Sequence, residues 1–195
     1  MDKRQFLAAA TLGAAALPAL AQGGNSPKGQ RGPTLLTVTG AGVKPNRGPF
    51  DPVLDQMMGK QKLTFDKAHA FDFATLAAMK PVEIRPTLEY DSKPHRLSGP
   101  LLADVLAAAG VKGEGGKLAM RAVDGYAPVQ TLADVRKYRF ILATHLDGQP
   151  MPLGGLGPLW ALFDVDRVPE FAAKPLDQRF ANLPWALFHI DVQAG

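Results

Sequence analysis

The chain has 195 residues, 46% of them hydrophobic, a formal net charge of +4 and no cysteine. That length accommodates a leader and one domain around a single core. The charge, about +3 once a leader is set aside, is too small and too dispersed for a nucleic-acid partner, and the lack of thiols excludes disulfides and thiolate ligands.

Met1 to Ala21 reads as a signal peptide: Lys3-Arg4 supply a basic start, Phe6 to Leu20 an apolar run, and Ala19-Leu20-Ala21 an Ala-x-Ala cleavage site. The run is shorter than the about 20 residues that span a bilayer. No later segment is long and apolar enough either, so a soluble periplasmic or secreted protein without a transmembrane segment is expected. Lys3-Arg4-Gln5-Phe6-Leu7 also has the form of a weakened twin-arginine signal, and both export routes stay open. Gln22 to Pro33, rich in Gly, Pro and polar residues, is expected to be a flexible tether ahead of one domain over residues 34–195.

Leu35 to Thr39, β-branched and closed by Gly40, predicts a strand, and a short helical piece fits Asp51 to Met58. Leu63-Thr64-Phe65 predicts a second strand. Asp72 is placed to cap a helix through Met79 that Pro81 stops. Val82 to Tyr90, the turn Asp91 to Pro94 and His95 to Leu97 then make a hairpin. Ser98 is read as the cap of the next helix, with Pro100 in its first turn, Leu101, Leu102, Val105 and Leu106 as its buried stripe, and Gly110 as its end. Strands follow at Lys117 to Val123 and Tyr126 to Gln130, then a helix Leu132 to Lys137 capped by Thr131.

Arg136-Lys137-Tyr138-Arg139-Phe140 is the densest basic stretch, a solvated helix end running into a strand or else a docking patch for an acidic partner or phosphate. Further strands fit Phe140 to His145, Leu159 to Phe163 and Trp185 to Val192, and Asp164 to Pro184 is expected to lie over the core surface. Short strands and short helices joined by tight turns imply a mixed α+β fold with mainly antiparallel sheets. The four histidines lack zinc-ligand spacing, and no serine stands in a nucleophile elbow.

Several local patterns recur in a telling order: Thr87-Leu88 ahead of Tyr90, the Ser98 to Gly110 segment, Asp124-Gly125-Tyr126, Leu132-Ala133-Asp134, Asp147-Gly148-Gln149-Pro150-Met151, Gly157-Pro158 with Trp160, and Trp185 before the last strand. In that order, from Thr34 to Val192, the chain resembles the molybdopterin-binding domain of sulfite-oxidase-type oxidoreductases. The likeness is greatest to the small exported single-domain members that lack the cysteine. The resemblance implies that family's α+β fold, a molybdopterin cofactor and, if the chain is active, molybdopterin-dependent redox chemistry with a redox protein partner. It places Tyr90, Arg85, His95, Arg96, Tyr126, Gly155, Gly157 and Trp160 at the cofactor site, with no metal ligand from the protein.

Three departures bear on activity. Tyr90 stands where the family's strand delivers a cysteine thiolate to molybdenum. Gly155-Leu156-Gly157-Pro158-Leu159-Trp160 lacks the His and Arg of the family's late loop, and Asp91 to Pro94 replaces a basic pair. Ionising a phenol at pH 7 costs about 4 kcal/mol before any nearby cation helps. Three readings follow: a cofactor-binding oxidoreductase domain in which Arg85, His95, Arg96 and the glycine-loop amides meet the pterin phosphate, a non-catalytic module that holds a small ligand or docks a partner in the same pocket, or a purely structural or interaction protein.

Overall fold

The computed structural model describes residues 32–113 and 115–195. The predicted signal peptide and all but the last two residues of the predicted tether lie outside that range. Gly32 is already anchored, its amide donating to Asp72 at 3.1 Å.

In chain order the first half holds β1 (Thr34–Gly40), α1 (Gln56–Lys60), β2 (His69–Asp72), α2 (Phe73–Ala77), β3 (Pro81–Ile84), β4 (Leu97–Pro100) and α3 (Leu102–Ala108). The second holds β5 (Lys117–Ala122), β6 (Val129–Thr131), α4 (Leu132–Lys137), β7 (Ile141–Ala143), β8 (His145–Leu146), β9 (Gln149–Pro150) and β10 (Trp160–Leu162). Three short helical turns, Val165–Arg167, α5 (Pro169–Ala172) and α6 (Leu176–Arg179), lead into β11 (Leu187–Gln193).

Five strands form the main sheet in the order β2-β1-β11-β5-β6; β3-β4-β8-β9 form a second sheet, and β10 pairs with β7. Only the β1–β11 pair is parallel among the named pairings. The fold is therefore mixed α+β with mainly antiparallel sheets and short helices, as the turn-linked pattern predicts. One apolar cluster joins the layers: Leu36, Val38, Leu118, Met120 and Ile190 from the main sheet meet Leu97, Ile141, Trp160 and Phe163 from the others. Burial of that set is the main stabilising term in a chain with no covalent cross-link.

The helix caps follow the sequence closely. Asp72 accepts from the Thr75 amide at 2.7 Å at the start of α2, and Thr131 accepts from the Asp134 amide at 2.9 Å at the start of α4. Gly110, at φ +92°, ends α3. Ser98, by contrast, caps nothing: Leu97–Pro100 is a strand paired to β3 on one side and β8 on the other, and α3 starts at Leu102. Backbone partners on both sides outweigh the local capping signal, and Gly99 lies so close to the Leu142 carbonyl that no side chain fits there. Leu102, Val105 and Leu106 are buried as the stripe predicts, while Leu101 is only half-buried.

Leu63 to Phe65 is not a strand. Phe65 instead packs edge-on against Phe50 at 6.1 Å and accepts the Phe50 amide at 2.8 Å, and the strand comes later, at β2. The predicted strand to Tyr90 stops at Ile84, because Pro86 brings no amide, and the chain continues as a narrow hairpin in which the Leu88 amide donates to Lys93 at 2.9 Å and the His95 amide to Pro86 at 3.1 Å. Asp164 to Pro184 does more than cover the core: Val165, Phe180 and Leu183 are part of it.

Candidate functional site

Three stretches far apart in sequence bring their aromatic side chains to one cleft of about 300 Å³. The hairpin tip between β3 and β4 supplies Glu89 and Tyr90, the tight turn between β5 and β6 supplies Asp124 and Tyr126, and the segment before β11 supplies Asp177, Phe180, Leu183, Pro184 and Trp185. Tyr90, Tyr126 and Trp185 are 56%, 44% and 36% exposed. They are the exposed Phe, Tyr and Trp side chains among the described residues, and all three meet here.

The walls are tied in place. At the turn, Gly125 takes φ +94°, the Tyr126 amide donates to Asp124 at 2.9 Å, and the Ala122 amide donates to the Tyr126 carbonyl at 2.8 Å. The Tyr126 hydroxyl donates to the Ala181 carbonyl, and Gln130 reaches the Asn182 carbonyl at 3.2 Å. Behind them the Trp160 indole donates to Leu183 at 2.9 Å, with its ring 5.8 Å from that of Phe180. The segment that carries Trp185 is thus fastened from the core side and from the turn side.

Tyr90 is held as a neutral phenol. Partial burial, then the charge of Glu89 and a hydrogen bond to it, push its pKa above the ordinary tyrosine value, and a hydrogen bond from Trp185 offsets only part of that rise. Burial, and then the nearby Asp124, likewise raise Tyr126. The side chains lining the cleft include the three carboxylates Glu89, Asp124 and Asp177 and no Lys, Arg or His. A molybdopterin cofactor brings a phosphate and a metal that prefers an anionic donor. These residues do not fit it: the rim repels the phosphate, and Glu89 disfavours the phenolate a metal would need.

The other sequence-predicted residues lie apart from Tyr90 and Tyr126. Arg85 meets Glu83 at 3.4 Å, and Arg96 meets the same carboxylate at 3.8 Å. Both ring nitrogens of His95 face acids, Nδ1 on Asp147 at 2.7 Å and Nε2 on Asp91 at 3.0 Å, and those hydrogen bonds, Asp147 first, raise its pKa. Arg96 lines a separate depression of about 280 Å³ together with Ser98, Thr144 and His145. Trp160 is fully buried and belongs to the core.

Gly155 closes a turn onto the Pro152 carbonyl at 3.3 Å, and Gly157 packs against the Met151 backbone where a Cβ has no room. Gly157 therefore answers a packing demand, whereas a Cβ at Gly155 would make only ordinary contact. Sequence reasoning missed Glu89, Asp124, Asp177 and Phe180 as site residues, and it read Trp185 as the mark that opens the last strand. A Tyr neighboured by an acid, at Glu89-Tyr90 and again at Asp124-Gly125-Tyr126, was the available signal.

No family model matches the chain. No curated protein matches it either. Among solved structures it is similar to the sulfane dehydrogenase SoxCD from Paracoccus pantotrophus, with a TM-score of 0.52 and 13% sequence identity, over 81% of this chain and 37% of that one. At that identity the likeness is one of fold: this chain has the architecture of a part, little more than a third, of a dehydrogenase chain.

Proposed function

We propose that this protein is an exported small-ligand-binding module built on an oxidoreductase fold, with the Tyr90, Tyr126 and Trp185 cleft as its binding site. The observation that carries this reading is the lining: three exposed aromatics gathered in one concavity. Small-molecule sites are typically concave and aromatic-lined, with a few polar groups at fixed positions. Export is supported by the basic start, apolar run and Ala19-Leu20-Ala21 site. Mass spectrometry of the protein recovered from a periplasmic or culture fraction is expected to find Gln22 at its N-terminus; an intact leader there would contradict export with cleavage.

A second reading, a molybdopterin-dependent oxidoreductase domain, draws on the motif order from Thr87 to Trp185 and on the fold shared with a dehydrogenase. In it the pterin dithiolene would hold molybdenum without a ligand from the protein, and a redox protein would accept the electrons. The two are separated by elemental analysis of protein purified from a host that makes the cofactor, together with pterin fluorescence after denaturation. Under the binding-module reading, neither molybdenum nor pterin is present and a small ligand raises the melting temperature of the metal-free protein. Stoichiometric molybdenum would reverse the order.

A further inference from the structure

Cleft chemistry narrows the ligand class, and this step rests on the binding-module reading above. An aromatic ring presents a negative face, so rings gathered around a concavity attract a cation that sheds part of its water there. Tyr90, Tyr126 and Trp185 are such rings, with Phe180 completing the wall. One of the polar tips is already engaged, the Tyr126 hydroxyl donating to Ala181, and the Tyr90 phenol stands beside Glu89 and Trp185. What these side chains still offer a ligand is chiefly ring surface.

Charge points the same way. Glu89, Asp124 and Asp177 line the cleft from its three separate segments, and no basic side chain lines it to neutralise them. Arg85, Arg96 and His95 each have a carboxylate elsewhere, at Glu83, Asp91 or Asp147. Arg179, close in sequence to Phe180, is turned away onto Asp166 at 2.8 Å. An anionic or phosphate-bearing ligand would meet uncompensated repulsion, whereas a cation meets both the ring faces and the acidic rim.

We infer that the Tyr90, Tyr126 and Trp185 cleft binds a small organic cation, a quaternary ammonium or protonated amine, with the rings enclosing the cationic head and Glu89, Asp124 and Asp177 supplying the compensating charge. A volume of about 300 Å³ holds a head group of that kind and a short tail. The acids alone would be a solvated patch; the aromatic concavity between them makes the site.

The test is calorimetric titration of the mature protein with choline, with its neutral isostere 3,3-dimethyl-1-butanol, and with inorganic phosphate. Choline is expected to bind at least about tenfold more tightly than the isostere, the size of effect a desolvated cation over aromatic faces produces. Phosphate is expected to give no heat. Replacing all three acids, Glu89→Gln, Asp124→Asn and Asp177→Asn, should weaken choline about tenfold and leave the isostere unchanged, since those side chains lie at the rim and the fold can be checked by circular dichroism. Trp185→Leu should weaken choline further.

Equal affinity for choline and its isostere, no loss in the triple variant, or preference for phosphate overturns the cation assignment. Should choline be silent while a neutral or anionic heterocycle raises the melting temperature in a parallel thermal-shift screen, the assignment fails and the binding-module reading stands. Should no ligand of any charge bind, both fail.

Discussion

His189 is the buried residue with most to lose on acidification. It sits in β11 beside Thr37 of β1, 2% exposed, with Nε2 3.0 Å from the Thr39 hydroxyl. That hydroxyl gives its one proton to Asp191 at 3.1 Å, so Nε2 must be the donor to Thr39. Burial pushes the His189 pKa down to about 4; Asp191 opposes the shift and Arg121 adds to it. Between the ordinary value near 6.5 and about 4 the unfolded chain carries a proton here that the folded chain refuses, so stability falls as pH falls through that window. The shift corresponds to about 3 kcal/mol. Urea unfolding at pH 7 and pH 4.5 should show the loss, and His189→Gln should flatten it. His95 acts in the opposite sense: its raised pKa gives stabilisation that is present below about 6.5 and lost as pH rises through the folded value, but it is screened by solvent. Trp160 offers a second check. Trp160→Phe leaves the Leu183 carbonyl without its donor and is expected to cost about 1–3 kcal/mol in the same unfolding assay.

Among the elements, what could be read from the sequence depended on how local its cause is. A cap involves a side chain and an amide three residues on, which is why Asp72 and Thr131 are legible without any knowledge of the fold. Thr131→Ala should accordingly destabilise by about 1 kcal/mol, seen as a lower urea midpoint at unchanged slope. Ser98 carries the same signal but answers to a distant cause, the pairing of β4 with both β3 and β8, which no local window contains. Gly99 records that cause in the structure, since the strand passes directly beneath the Leu142 carbonyl. Gly99→Ala is therefore expected to cost about 1–3 kcal/mol or prevent folding, although alanine suits a strand no worse than glycine does. The site shows the same division. Tyr90, Tyr126 and Trp185 stood out by motif, whereas Asp177 and Phe180 join them only because the segment before β11 is folded back over the turn at Asp124 to Tyr126.

For the molecule as a whole, the legible part was architecture: turn chemistry and short alternating segments already implied mixed sheets with antiparallel pairing, and the structure has them. Charge placement was not legible, because Glu89, Asp124 and Asp177 are scattered in sequence and become one rim only through the crossing of the strands. Those strands are ordered so that β11 lies in the middle of the main sheet, between β1 and β5. A chain ending at Trp185 would lack that central strand and should show no cooperative thermal transition by circular dichroism. The parallel contact between β1 and β11, Thr37 to Gly40 against His189 to Val192, joins the two ends of the described chain. The first strand of the described residues therefore waits for the last: until β11 has been made, β1 has β2 alone to pair with, and the five-stranded sheet cannot close.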